Sequence, residues 1–200
     1  MDKNVITFIG GPASGKSTRM ELLEGFDIIS SAKLLLDAGY DLSTGEYVSD
    51  DVVAELIMKQ INSTDTNIIL DGFPRTINQY KALEKNNVVL SKVYYIDTPD
   101  SVMLERANDR LTCINCHASY TKSNFKKPII HGICDKCSSQ LVNRPDDSLD
   151  LMLKRINIYK ERTLPLLNYF IDSGVNVIRV DGMAPLSEFV NKKVKVLIKK

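Results

Sequence analysis

The 200-residue sequence has no tryptophan, only two histidines and no surplus of either charge, with 26 Lys+Arg against 25 Asp+Glu and a net charge of +1. Without a basic or acidic excess, composition offers no argument for a nucleic-acid partner, a polybasic membrane anchor or a disordered charged tail. Long hydrophobic runs are missing as well. No apolar stretch approaches the roughly 18 residues that span a bilayer, so no membrane partner is expected. The apolar run at 5–9 is too short for a secretory core and leads into glycines rather than a cleavage site. The expectation is a cytoplasmic protein. Apolar residues make up 44% of the chain, enough for one main core with room for an inserted subdomain.

What is present has a rhythm. Apolar runs of four to six residues recur, each followed by helical spacing, as in βα units of a parallel sheet covered on both faces. Strands are expected at 5–9, 68–70, 93–96 and 175–180, with a weaker one at 26–29. Helices are expected at 16–23, 31–38, 52–61, 77–85 and 102–110, with a closing helix at 186–198. Ser49 is a candidate N-cap, followed by the acidic pair Asp50 and Asp51 in the first turn. The fold class is therefore α/β, a five-stranded parallel sheet flanked by helices. The stretch 112–143 breaks the rhythm: it is polar, holds all four cysteines and shows no sustained period, so it is expected to be a small inserted lid. After it, Leu149, Leu153, Ile156 and Tyr159 fall at helical spacing up to Leu164-Pro165, where proline stops or restarts the helix.

Gly10-Gly11-Pro12-Ala13-Ser14-Gly15-Lys16-Ser17 fits GxxxxGK[ST] directly after the first strand and at the start of a helix. In that context glycines let backbone N–H groups curl around phosphate oxygens. Lys16 would reach the terminal phosphates and Ser17 could ligate Mg²⁺. The plainer alternative is a glycine-rich turn without a ligand.

Cys113-Ile114-Asn115-Cys116 and Cys134-Asp135-Lys136-Cys137 are two CxxC pairs whose spacing suits four thiolates around one tetrahedral Zn²⁺, with Fe²⁺ as the other candidate. In a reducing compartment two disulfides are the weaker reading. Four thiolates leave no open position, so the role would be structural. His117 and His131 flank the pairs and could replace a ligand, although solvated loop histidines are the simpler description.

Asp71-Gly72-Phe73-Pro74-Arg75-Thr76 follows the third strand at the sheet edge where ligands bind. Asp71 could organise Mg²⁺ and its waters, or merely cap the next helix; Arg75 offers a planar fork for phosphate. Arg110, Arg144 and Arg155 lie at the edges of the expected lid, where a flap closing over phosphates needs positive charge. Taken singly, each would be a solvated surface arginine.

Together these residues resemble the adenylate kinase family of nucleoside monophosphate kinases. The likeness runs through the phosphate loop, the block from Asp71 to Thr76 with Gln79 after it, Asp109-Arg110, the four-cysteine segment, Asn143-Arg144-Pro145-Asp146-Asp147, Lys154-Arg155 and Val180-Asp181-Gly182. The resemblance implies a P-loop core (1–111 and 144–200), an acceptor-binding segment at about 30–61 and a zinc lid at 112–143. It implies that ATP is held by Ala13, Ser14, Gly15, Lys16, Ser17 and Thr18, by Arg110, by Ser119 and Tyr120 near the adenosine, and by the backbone at Ala184. It implies that AMP meets Ser31, Glu46, Tyr47, Val48, Gly72, Phe73, Pro74, Arg75 and Gln79, and that Arg144 and Arg155 clamp the phosphates. Leu36 stands where the family has an arginine. Lys33, one helical turn earlier, is expected to supply that charge.

The implied activity is reversible Mg²⁺-dependent phosphoryl transfer from ATP to AMP. Lys16, Arg75, Arg110, Arg144 and Arg155 would be its electrostatic stabilisers, and by resemblance the protein would be a monomer. The alternatives are a kinase for CMP, UMP or GMP, or a non-catalytic module that closes on ATP.

Overall fold

The structure, a computed structural model, describes residues 3–42, 48–123 and 126–190, apart from the side chain of Pro145. Five strands, β1 (Val5–Ile9), β2 (Phe26–Ser30), β3 (Asn67–Asp71), β4 (Leu90–Asp97) and β8 (Val177–Asp181), form one sheet in the order β2-β3-β1-β4-β8. Every pairing in it is parallel. Parallel strands are covered on both faces, which explains why β1 is buried at every position and why it reads as an unbroken apolar run.

Side chains alternate between the two faces. Val5 and Ile9 join the larger core, with Ile57, Leu83 and Phe170. Ile6 and Phe8 join the smaller one, with Met20, Tyr94 and Phe189. The larger core is closed by α2 (Ser31–Asp37), α3 (Asp50–Asn62), α4 (Ile77–Lys85) and α7 (Leu164–Asp172). The smaller is closed by α1 (Lys16–Met20) and by the helical residues 186–190. The rest of the expected closing helix lies outside the described residues.

Three elements differ from the sequence expectation. Helix α1 stops at Met20 because the chain tightens there, with Leu22 N–H bonding Arg19 O and Leu23 N–H bonding Met20 O, before Gly25 turns it at φ 77°. The long helix after the insertion is α6 (Leu149–Ile158), which passes through a π-turn at Tyr159–Thr163 into α7, with Pro165 in the first turn of α7. Its buried face carries Met152 and Ile156, whereas Leu149 and Leu153 are exposed.

The cysteine segment is also more regular than its composition suggests. It opens from α5 (Asp100–Asp109) into a three-stranded antiparallel sheet of β5 (Arg110–Cys113), β6 (Ser119–Thr121) and β7 (Leu141–Val142). Strands of two to four residues are too short to display a period.

Candidate functional site

The turn after β1 curls as a phosphate cradle must. Ala13 and Gly15 have φ of 55° and 93°, which rotates successive backbone N–H groups toward one concavity. Gly10 is required by crowding: a Cβ there would lie 2.8 Å from the Ile96 carbonyl oxygen. Lys16 folds back across the cradle, its ammonium donating to Gly10 O at 2.8 Å, Gly11 O at 2.6 Å and Ser14 Oγ at 3.3 Å. Burial, and secondarily the guanidinium groups of Arg75, Arg155 and Arg110, lower its pKa to about 7 despite the opposing pull of Asp71. A lysine held this way is short of anions.

Ser17 is exposed and Thr18 half-buried at the start of α1. Arg106, in the last turn of α5, donates to Ser14 O at 3.1 Å and to Gly182 O at 2.9 Å, tying the cradle to the turn after β8. No local sequence signal marks Arg106, because its partners Ser14 and Gly182 are 92 and 76 residues away. Ala184, in that same turn, gives its carbonyl to Arg19.

Asp71 ends β3 and lines the pocket that holds Lys16. It does not cap α4; Thr76 does, accepting from Gln79 N at 3.1 Å. The turn between them is fixed from below by the buried hydroxyl of Thr7, which donates to Phe73 O at 2.7 Å. Gly72, at φ 74°, offers its carbonyl to Ser31 Oγ at 3.0 Å and to Arg75 Nε at 2.8 Å. The peptide bond between Phe73 and Pro74 is cis.

A second pocket adjoins the first. Ser31, Ala32, Leu35, Val48, Gln79 and Arg144 contribute to its wall, and Gly72, Arg75 and Arg155 line both pockets. Lys33 is not part of it. That side chain is exposed, as is Leu36, while Ser31 and Leu35 carry the face of α2 that turns inward. The expected compensation by Lys33 is corrected accordingly: sharing a helical face with Leu36 places it in solvent. Glu46 and Tyr47 lie outside the described residues.

Two carboxylates of the Asn143–Asp147 stretch, Asp146 and Asp147, hold the arginines. Arg110 makes a two-pronged pair with Asp147, with Nε at 2.7 Å from Oδ2. Arg144 Nε lies 2.7 Å from Asp146 Oδ1, and Arg155 Nη1 lies 2.8 Å from Asp146 Oδ2 and 3.3 Å from Asp147 Oδ1. Arg155 has its pKa lowered to about 10, first by burial and then by Arg144 and Arg110, against the pull of Asp146 and Asp147. Three cations on two carboxylates leave net positive charge in the cluster, of which Arg155 lines both pockets and Arg144 the second.

The four cysteines converge, their Sγ atoms all within 4.8 Å of one another. Cys113 to Cys137 is 3.4 Å, Cys116 to Cys134 is 3.6 Å, and no disulfide joins them. A tetrahedral metal with bonds of about 2.3 Å sets sulfurs about 3.8 Å apart, so the cluster is compatible with one such ion. The Ser139 hydroxyl and backbone N–H push the Cys137 thiol down toward the thiolate form. Tyr120 needs correction here. Its side chain is buried in the small-sheet core, with its hydroxyl 3.4 Å from Cys134 Sγ and accepting from Asp135 N at 2.9 Å. It turns toward the cysteines, leaving half-buried Ser119 and the strand backbone for any contact with adenosine. His117 and His131 are exposed and outside the cluster.

An open parallel sheet with a phosphate cradle at its first βα turn, and a second pocket sharing arginines with it, defines a P-loop nucleotide-binding protein with two ligand sites. The sequence profile of the adenylate kinase family matches residues 8–175. An adenylate kinase of Mycoplasma mycoides subsp. mycoides is 35% identical over 183 aligned positions, covering 82% of this chain and 85% of that protein. Those of Mesoplasma florum and Syntrophomonas wolfei are 32% and 35% identical, covering 94% and 85% of this chain and 97% and 88% of their own lengths. The chain belongs to the adenylate kinase family, the nucleoside monophosphate kinases that bind ATP and AMP.

Proposed function

We propose that the protein catalyses the reversible transfer of a phosphoryl group from ATP to AMP, giving two ADP. The observation that carries this reading is the wall common to both pockets: Gly72, Arg75 and Arg155 line each of them. A donor in the cradle and an acceptor beside Ser31 and Gln79 would therefore present their phosphates to the same guanidinium groups.

Phosphoryl transfer needs little covalent help, because the work is in-line positioning and neutralisation of charge on the migrating group. Lys16 and the loop from Ala13 to Thr18 bind the triphosphate. Arg75 and Arg144 hold the acceptor phosphate, while Arg110 and Arg155, steered by Asp146 and Asp147, face the migrating group. No general base is required. Asp71 and Ser17 are the hard oxygen donors that would carry Mg²⁺ with ATP, where the ion supplies charge neutralisation on phosphate oxygens. Cys113, Cys116, Cys134 and Cys137 would hold structural Zn²⁺, cross-linking the 112–143 segment. That segment is the lid of this scheme and about 30–61 its acceptor-binding part; closure excludes water, the competing acceptor.

No helix among the described residues is long and apolar enough to cross a membrane. The reading takes the protein as a cytoplasmic monomer, and four unpaired thiols support a reducing compartment.

The test is an acceptor panel with ATP and Mg²⁺. ADP formation that depends on AMP, and that falls by at least about 10²-fold in Lys16→Met, is the expected result. ATP binding without transfer to any monophosphate would instead favour a binding module that closes on ATP.

A further inference from the structure

We propose that the four-cysteine cluster is also a peroxide-responsive thiol switch, in which Cys116 meets the oxidant and closes a disulfide with Cys134, so that the segment exchanges a metal cross-link for a covalent one. This rests on the reading of the cluster as a structural metal site.

The four sulfurs differ in access. Cys113 and Cys134 are 0% and 1% exposed and belong to the core of the small sheet, and Cys137 is half-buried against it. Cys116 is exposed. Oxidation selects sulfurs that combine thiolate character with access, and metal ligation requires the thiolate of all four. Access therefore decides, and a peroxide arriving from solvent meets Cys116 first.

The sulfurs also differ in their neighbours. Within the cluster Cys116 pairs with Cys134 at 3.6 Å, and Cys113 pairs with Cys137 at 3.4 Å. These two contacts use each cysteine once, and both run between the CxxC turns rather than inside one of them. In the first turn the N–H groups of Asn115 and Cys116 donate to Cys113 Sγ at 3.4 and 3.5 Å, holding that sulfur as an acceptor. The partner that Cys116 faces is Cys134, in the other turn.

One peroxide balances the step. Cys116 Sγ attacks a peroxide oxygen, the O–O bond breaks, and a sulfenic acid forms as hydroxide leaves. Cys134 Sγ then attacks the Cys116 sulfur, forming the S–S bond and expelling a second hydroxide. The two thiolates give up two electrons, and two protons from solvent turn both hydroxides into water. From a 3.6 Å contact to a bond of about 2.05 Å, the two side chains have about 1.5 Å to close. Two of the four thiolate donors are then withdrawn, which releases the metal. The new bond joins positions 18 residues apart and links the same two turns that the metal linked, so the loop stays closed.

The metal-loaded full chain, titrated with hydrogen peroxide, tests the exchange without recourse to turnover. Metal released to a chromogenic chelator, free thiols and the cross-linked peptides of a digest are followed together. The expected result is loss of metal in step with two thiols, a Cys116–Cys134 peptide as the first cross-link, and recovery of thiols and metal after dithiothreitol and Zn²⁺. Hydrogen-exchange protection of β5 and β6 should survive peroxide, although a chelator strips it. A first cross-link inside one CxxC turn, sulfinic acid at Cys116 with no cross-link, or protection lost as fully as with the chelator overturns the switch. A chain that holds no metal as purified, yet whose reduced form closes Cys116–Cys134 first, supports the sulfur pairing while removing the metal reading.

Discussion

At the scale of single residues, Lys16 is the side chain whose state should change most when the site fills. In the free protein its ammonium is held by three oxygen acceptors of the cradle. Burial, with three nearby arginines, lowers its pKa to about 7. A triphosphate placed against it raises that pKa again, because adjacent negative charge favours the protonated form. The sign of the coupling follows. At pH 8 free Lys16 is mostly neutral, so ATP binding should take up about one proton; at pH 6 the lysine is already protonated and uptake should vanish. Calorimetry of ATP binding in buffers of different ionisation enthalpy measures this directly, and Lys16→Met should abolish the pH 8 uptake. Uptake persisting in that variant would assign the proton to another group.

At the scale of elements, the two first glycines of the cradle separate a rigid constraint from a soft one. A Cβ at Gly10 would sit 2.8 Å from the Ile96 backbone oxygen on β4, whereas one at Gly11 would meet the end of the Met103 side chain at 2.3 Å. Backbone paired within a parallel sheet cannot retreat, but a thioether can change rotamer. Gly10→Ala should therefore cost about 1–3 kcal/mol of stability, lowering Tm by about 2–4 °C per kcal/mol, and should weaken ATP binding, with Gly11→Ala milder on both counts. Thermal melts and ATP titrations of the two variants check the order. The cradle and the parallel strands were legible in the sequence because both are local: unbroken apolar runs, then glycines at fixed offsets from Lys16. What stayed hidden depends on distant partners. The inward side chain of Tyr120 depends on a sheet with strands of two to four residues, too short for a period to register. Asp50 looked like first-turn charge on α3, yet its partners Thr76 and Gln79 are 26 and 29 residues away. Lys33 misled for the opposite reason. Helical spacing correctly paired it with Leu36, but spacing alone does not say which face looks inward.

At the scale of the whole molecule, the chain joins a large core to a segment with almost none. The parallel sheet buries more than two dozen apolar side chains, whereas the small antiparallel sheet buries Cys113, Tyr120, Cys134 and Leu141. The four buried among its described residues, two of them cysteines, cannot offset the ordering of some 30 residues at about 1–2 kcal/mol each, which calls for another cross-link. On the proposed reading that cross-link is a metal on the four thiolates, a kind of site that contributes on the order of 10–16 kcal/mol. Beyond the Arg110–Asp147 pair at its hinge, the segment bonds to the core through exposed contacts such as Lys126 with Glu21 at 2.8 Å, a kind of pair worth little in water. Its loss of order should therefore not carry the core with it. Removal of the metal by a strong chelator should strip hydrogen-exchange protection from β5, β6 and β7 while β1, β3 and β4 keep theirs. Activity should fall because Arg110 begins β5 and loses its fixed approach to Asp147. Tyr120→Phe, which keeps the ring but removes the hydroxyl 3.4 Å from Cys134 Sγ, should release the metal to a chromogenic chelator faster with little change in core stability. If chelation instead unfolds both sheets in a single transition, the segment is integral to the core, and the metal serves the whole fold rather than a flap that can move on its own.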